Sequence, residues 1–184
     1  MFYETREILL KDGRTAIFRS PSPAEDAAEM VDYMKTTAGE TPYLLREPEE
    51  CVLTAEQEET FLHNILDSQY NTMIVCEVEG KIAGNCQITF KNRLKNKHRA
   101  IVAIALLKEY WNLGIGTNLF REMIRLAQER GGIEQLELEV LEGNENALRL
   151  YEKMGFRIVG EKPNAIRLKD DTRLKEFYMV KELL

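Results

Sequence analysis

No run of about 18 apolar residues occurs in this sequence, so no segment reads as a membrane helix. The opening stretch, "MFYETREILLKDGR", carries Glu4, Arg6 and Glu7 where a secretory leader needs an apolar centre. No signal peptide is expected there. Cysteine is scarce and odd in number: Cys51, Cys76 and Cys86. No CxxC occurs and the spacings fit no zinc pattern, which argues against a disulfide framework and against a metal site. The three read as reduced thiols of a cytoplasmic protein. A basic excess is missing too. Lys and Arg number 25 against 31 Asp and Glu, a net charge of −6, which argues against a dedicated nucleic-acid binder. That balance disfavours polyanionic partners and suits cationic ones. No repeat, low-complexity tract or linker divides the chain, so one domain over residues 1–184 is expected.

What is present suffices for a folded core. Hydrophobic residues make up 44% and charged residues 30%, a soluble globular balance. "TAIFRSP" (Thr15 to Pro21) reads as a strand stopped by prolines. A helix follows over "SPAEDAAEMVDYMKTTAG", with Ser22 as cap, Glu25 at the capping-box spacing and Gly39 at its end. "ETPYLLREPEECVL" is irregular, broken by Pro42 and Pro48. Thr54 opens a second helix with Phe61, Leu62, Ile65 and Leu66 at helical spacing. "TMIVCEVEGKIAGNCQITF" is a β-hairpin about a Glu-Gly-Lys turn, and "HRAIVAIALL" is a strand apolar enough to be central. A third helix runs from Gly116 to about Arg130, with Leu119, Phe120, Met123, Ile124 and Ala127 on one face. "QLELEV" alternates as a strand, Asn144 to Gly155 is a short helix, and "FRIVGEK" with "RLKEFYMVKEL" makes a closing antiparallel pair.

The strand ending near Leu107 runs at once into "KEYWNLGIGTNL". A strand, a glycine turn and a helix in that order make an anion site, because the first N–H groups of a helix lack internal partners and carry partial positive charge. Gly114 and Gly116 would let a phosphate approach bare backbone. The donors expected are the N–H groups of Leu113, Gly114, Ile115, Gly116 and Thr117, with the Thr117 hydroxyl beside them. This is not a P-loop, since no Lys-Ser/Thr follows, and not the dinucleotide fingerprint, which needs glycine at Leu119. A tight turn without a ligand would use the same residues.

A second stretch, "VLEGNENALRLYEKMGF", separates these readings. With "YWNLGIGTNLF" it resembles the acetyl-coenzyme A signature of the GNAT acetyltransferase superfamily. The matching positions are Asn144, Ala147, Leu150, Tyr151, Lys153, Gly155 and Phe156, one βαβ spacing beyond the turn. The match is close from Ile74 to Phe156 and only architectural over the first 70 residues. The sequence departs from the pattern at Trp111, where the family often has Gln or Arg; Arg121, Asn118 or Lys108 could make good a lost phosphate contact.

The resemblance implies an α/β (α+β) fold. Its mixed, mostly antiparallel sheet would have about 6–7 strands flanked by about four helices, with a V-shaped splay between strands 4 and 5. It implies acetyl-CoA as cofactor and attack of a primary amine on the thioester in a ternary complex. The pantetheine arm would pair like an added strand with backbone of Ile101 to Leu107, at Ile104 and Leu106, beside Asn144 and Ala147. Tyr151 would be the general acid for the thiolate, and a backbone N–H near Leu106 would meet the oxyanion.

The base is less apparent. Members often carry Glu near the start of the fourth strand, where this sequence has Ile101. Glu137 is the first candidate, with Glu139, His98 and Glu40 behind it. The acceptor is a small-molecule amine, a cationic one being suited to the acidic Glu40–Leu53 stretch, with a peptide amine as the alternative. A protein N-terminal or lysine acetyltransferase, or a non-catalytic acyl-CoA-binding module, are the rival functions. Family members are often dimers, so a homodimer is among the partners considered; nucleic acid and membrane are not.

Overall fold

The edge strand β1 (Arg6–Leu9) opens the fold in the computed structural model, which describes residues 2–183. It was not among the sequence-derived strands. Its four residues carry two charges and an exposed Leu9, a pattern too short and too polar to read as a strand before a partner is known. That partner is β2 (Thr15–Arg19), antiparallel, with Arg6 opposite Phe18. The other strands are β3 (Asn71–Val78), β4 (Lys81–Phe90), β5 (Arg99–Leu106), β6 (Gln135–Leu141), β7 (Arg157–Arg167) and β8 (Arg173–Glu182). The helices are α1 (Pro23–Glu40), α2 (Ala55–Asp67), α3 (Ile115–Arg130) and α4 (Glu145–Lys153). The mixed, mostly antiparallel sheet therefore has eight strands where about 6–7 were expected, in the order β1-β2-β3-β4-β5-β6-β8-β7.

Two compact units share the chain, each made of two segments. The first comprises Met1–Thr89 and Ala103–Leu119. Its hairpin β3–β4 turns through Glu79 (φ 52°) and Gly80 (φ 78°), the left-handed pair that a two-residue turn requires. Register slips between Cys76 and Glu77, leaving Ala83 as the extra residue of a bulge. Helices α1 and α2 bury Ala27, Met30, Tyr33, Leu62 and Ile65 with Met73, Val75 and Ile82 of the sheet; Met34, Ala105 and Leu107 pack at the margin of this cluster. Phe61, at helical spacing in the sequence, is exposed on α2 instead.

Capping differs in one place from the sequence reading. Thr54 forms the full box with Gln57 at the start of α2. Ser22 makes no cap bond to the α1 backbone. Its hydroxyl donates to Glu25 at 2.9 Å, and its own N–H donates to Asp26 at 2.7 Å. Asp26 is preferred because the same carboxylate also receives the Arg19 guanidinium, at 2.7 and 2.8 Å. Helix α1 runs one residue past Gly39, and Pro48–Glu50 forms a 3-10 turn in the segment expected to be irregular.

The second unit comprises Phe90–Val102 and Phe120–Leu184. Strand β6 pairs in parallel with the start of β5, with Arg99 opposite Gln135, Ala100 opposite Leu136 and Ile101 opposite Glu137. On its other side β6 pairs antiparallel with β8, and β7 lies outside β8, so the closing pair enters the sheet through its second member. Leu136, Leu138 and Val140 are buried as the alternation predicted, and Glu139 is exposed.

Candidate active-site residues

In the first unit, the end of β5 is held at four consecutive residues. The Ala105 carbonyl accepts the Tyr33 hydroxyl at 2.8 Å, and the Leu106 carbonyl accepts the Trp111 indole N–H at 2.9 Å. The Leu107 N–H donates to the Ala83 carbonyl at 3.0 Å, and the Lys108 N–H donates to the Glu40 carboxylate at 2.7 Å. Trp111, the residue out of pattern in the sequence, thus ties the turn back to the strand through a side-chain donor that neither Gln nor Arg would place in the same way. Glu40, one of the base candidates, spends an oxygen on backbone. Burial drives the Tyr33 phenol well above its ordinary pKa, so it remains a neutral donor.

Two residues here were not singled out in the sequence. Tyr33 looked like one more apolar position of α1. Gly84 had a usable signal, an isolated glycine within a strand pattern, which marks a bulge or a close backbone approach. A Cβ at Gly84 would overlap the Leu106 side chain and lie 2.7 Å from the Ala105 carbonyl oxygen. Only glycine lets β4 come this close to the strand end where Ile104 and Leu106 lie half-buried.

The glycine turn follows. Asn112 (φ 63°) and Gly114 (φ 97°) both take the left-handed conformation. The Gly114 carbonyl accepts the first intrahelical bond of α3, from the Asn118 N–H at 3.1 Å, and also the Asn118 side-chain amide at 3.2 Å. Asn118 therefore braces the turn. Among the described residues, the N–H groups of Leu113, Gly114, Ile115, Gly116 and Thr117 find no acceptor. Ile115 and Gly116 are buried, while Leu113, Gly114 and Thr117 are half-buried. Five such donors at the start of a sixteen-residue helix form an arrangement suited to an anion.

In the second unit, Asn144 caps α4 by accepting the Ala147 N–H at 3.3 Å. This leaves its amide NH2 without a partner among the described residues. Tyr151 is buried against Phe120 (ring centroids 5.2 Å apart) and Phe156 (6.3 Å), and these two rings meet edge to face at 5.7 Å. Two aromatic neighbours fix the phenol ring, yet its hydroxyl makes no hydrogen bond among the described residues. Burial pushes the Tyr151 phenol up to about 12, so it carries its proton throughout the ordinary pH range.

Glu137 shares a sheet face with Ile101, its register partner on β5. Its Oε1 accepts Gln135 Nε2 at 2.7 Å and pairs with Arg99 Nη1 at 3.1 Å. Both donors use the same oxygen. Glu139 is exposed, and it adds to the rise that burial imposes on Glu176. His98 contributes its backbone carbonyl to the Glu134 and Gln135 N–H groups. No group of His, Cys, Asp and Glu among the described residues could hold a metal ion. No helix among them is long and apolar enough to cross a membrane.

Residues 29–156 fit the model of the acetyltransferase (GNAT) family. A Bacillus subtilis (strain 168) protein, named as a candidate ribosomal protein bS18-alanine N-acetyltransferase, is 32% identical over 106 residues, covering 58% of this chain and 67% of that protein. The chain spans between 34% and 67% of the length of six curated relatives it matches. A solved acetyltransferase of the GNAT family from Streptococcus pneumoniae superposes with a TM-score of 0.84 at 31% identity, over 92% of this chain and 99% of that one. The fold is shared with a GNAT superfamily phosphinothricin acetyltransferase from Sinorhizobium meliloti, solved with acetyl-CoA, at a TM-score of 0.77 and 18% identity over 91% of this chain and 88% of that one. The matched region runs from the middle of α1 through the glycine turn to the end of the Asn144–Phe156 motif, and on that ground this chain belongs to the acetyltransferase (GNAT) family.

Proposed function

We propose that this chain is an acetyl-CoA-dependent N-acetyltransferase that moves the acetyl group to a primary amine of a small molecule by direct attack in a ternary complex. The observation that carries this reading is the row of five N–H groups from Leu113 to Thr117 without acceptors, at the mouth of α3. They would take the pyrophosphate oxygens. The pantetheine arm would pair with backbone at Ile104 and Leu106 and with the Asn144 amide, beside Ala147.

The chemistry assigns each group one task. The acceptor nitrogen attacks the thioester carbonyl carbon and gives up a proton to Glu137, directly or through water. Glu137 supports this role because it is the register partner of Ile101, where the family often has its acid. Its Oε1 is held by Arg99 and Gln135, so the other oxygen is the one available. The developing oxyanion accepts from the Leu106 N–H. The C–S bond then breaks, and the thiolate takes the proton of Tyr151, whose unpartnered neutral phenol supports the assignment. The products are the acetylated amine and coenzyme A.

The test is release of free thiol from acetyl-CoA with polyamines, aminoglycosides, amino acids and peptides. Amine-dependent release is expected. Tight acetyl-CoA binding by calorimetry with no release from any acceptor would instead favour a non-catalytic module. Release with peptides alone would favour a protein N-terminal or lysine acetyltransferase, the reading that the Bacillus relative's name supports.

A further inference from the structure

Within the first unit, the turn joining β1 to β2 docks on the glycine turn. The Lys11 N–H donates to the Leu113 carbonyl at 3.2 Å. Three residues before Leu113, the Tyr110 ring is buried, and the Arg14 guanidinium carbon lies 5.4 Å from its centroid. Arg14 also holds its own turn. Its Nη2 pairs with Asp12 at 2.8 Å, and its backbone N–H donates to the same carboxylate at 3.1 Å. Its Nη1 reaches Glu79, in the turn between β3 and β4, at 3.4 Å. The hairpin is thus tied to residues 110–113 by one backbone contact and one side-chain contact. The β1–β2 ladder itself requires neither.

The backbone contact decides where a donor points. The peptide between Leu113 and Gly114 is trans, so its carbonyl and its N–H face opposite ways. Lys11 is on the carbonyl side, and the Gly114 N–H therefore points away from the hairpin. The next peptide is fixed in the same manner: the Gly114 carbonyl accepts the Asn118 N–H and the Asn118 side-chain amide, and the Ile115 N–H points opposite. A glycine at φ +97° has no Cβ to resist rotation of the peptide before it. The residue that lets a phosphate approach would thus also let its own N–H swing away. Orientation matters more here because Trp111 gives its indole N–H to the Leu106 carbonyl and leaves the turn to its backbone donors.

We infer that the Leu10–Arg14 turn is a positioning element for the cofactor. Lys11, through its backbone N–H, holds the Leu113–Gly114 peptide with the Gly114 N–H turned toward the pyrophosphate of acetyl-CoA, and Arg14 on Tyr110 keeps the hairpin docked. This role rests on the pyrophosphate reading of the glycine turn. The hairpin lies outside residues 29–156, the part of the chain that fits the family model, so the device belongs to this chain rather than to the shared motif.

The geometry of the turn supplies the test. The Gly13 N–H donates to the Leu10 carbonyl at 3.1 Å, and neither Lys11 nor Asp12 has a positive φ, which makes Leu10–Gly13 a type I turn with Lys11 at its second position. Proline is favoured there, so Lys11→Pro removes the N–H and keeps the hairpin. Lys11→Ala keeps the N–H and is the reference. By calorimetry, acetyl-CoA should bind Lys11→Pro roughly tenfold more weakly than Lys11→Ala. In thiol release, the acetyl-CoA KM should rise by the same factor with kcat within about twofold. The kcat/KM for S-acetylpantetheine, which lacks the pyrophosphate, should be alike in the two variants. Arg14→Gln should show the same selectivity in weaker form, and Arg14→Lys, which retains a cation, should recover part of the loss. Equal acetyl-CoA affinity in Lys11→Pro and Lys11→Ala overturns the inference. So does an equal loss with S-acetylpantetheine, which would mark the hairpin as support for the fold only. If circular dichroism shows Lys11→Pro unfolded, Arg14→Gln decides in its place, and wild-type acetyl-CoA affinity there overturns the inference. Gly114→Asp, run alongside, scores the pyrophosphate reading itself. Wild-type affinity in Gly114→Asp removes that reading and the hairpin's role with it; a loss there with none in Lys11→Pro removes the hairpin's role alone.

Discussion

Ile101 and Glu137 are register partners in the parallel β5–β6 ladder, so an acid missing from one strand is met by an acid on its neighbour. If Glu137 is the base, Glu137→Gln should lower kcat/KM by about 10²–10⁴ while acetyl-CoA affinity stays within twofold. Arg99→Leu removes the guanidinium that holds the carboxylate Oε1 and should lower kcat/KM while leaving acetyl-CoA affinity within twofold. Near-normal rates in both Arg99→Leu and Glu137→Gln would return the proton to water or to the amine itself.

Tyr151 is held by rings and touched by no hydrogen-bond partner among the described residues. Tyr151→Phe keeps the rings and removes the proton. It is expected to reduce kcat by about 10²-fold or more with little change in acetyl-CoA Kd. Because burial raises this phenol to about 12, the donor form is kept at alkaline pH, and no rate loss below pH about 10 should trace to it. A collapse of cofactor affinity in the Phe variant would mark the residue as packing only.

Gly114 has φ +97°, and a Cβ there would meet only the Asn118 side-chain amide, at an ordinary contact distance of 3.9 Å. Gly114→Ala should therefore act through backbone strain, of the order of 1–3 kcal/mol. Gly114→Asp adds negative charge beside the proposed pyrophosphate. It should weaken acetyl-CoA binding well beyond the Ala variant in calorimetry. Equal affinities in the two would place the phosphates elsewhere.

Gly84 is the opposite case: its φ is ordinary, but the space is filled by Leu106 and the Ala105 carbonyl. Gly84→Ala should destabilise by about 1–3 kcal/mol in denaturant unfolding through overpacking. By shifting the end of β5 it should also raise the acetyl-CoA KM. A variant of native stability would mean that β4 and β5 can part without cost.

Glu58 offers a pH test of stability. Burial raises its carboxyl pKa above the ordinary Glu value, so the native state holds this proton more tightly than the unfolded chain. Its contribution is full below the unfolded value and is lost as pH rises through the raised one. The Tm advantage of Glu58→Gln over wild type should therefore be small near pH 4 and larger at neutral pH, since the unfolded carboxyl titrates at roughly 4.3. An advantage independent of pH would mean that Glu58 titrates alike in both states.

The sequence by itself determined the parts whose physics is local. The Gly114–Gly116 turn before an apolar-faced helix, the Thr54 box and the alternation of Leu136, Leu138 and Val140 are set by neighbours a few residues away, so spacing alone reveals them. The family signature was legible for the same reason, since its two stretches are each continuous in the chain. Only the tertiary structure decided what depends on distant partners. Strand β1 exists because β2 supplies its ladder, and the Ser22 N–H goes to Asp26 rather than Glu25, on the carboxylate that Arg19 also holds. Gly84, Tyr33 and Trp111 matter because all three converge on Ala105 and Leu106. No periodicity records which far segment takes up a carbonyl.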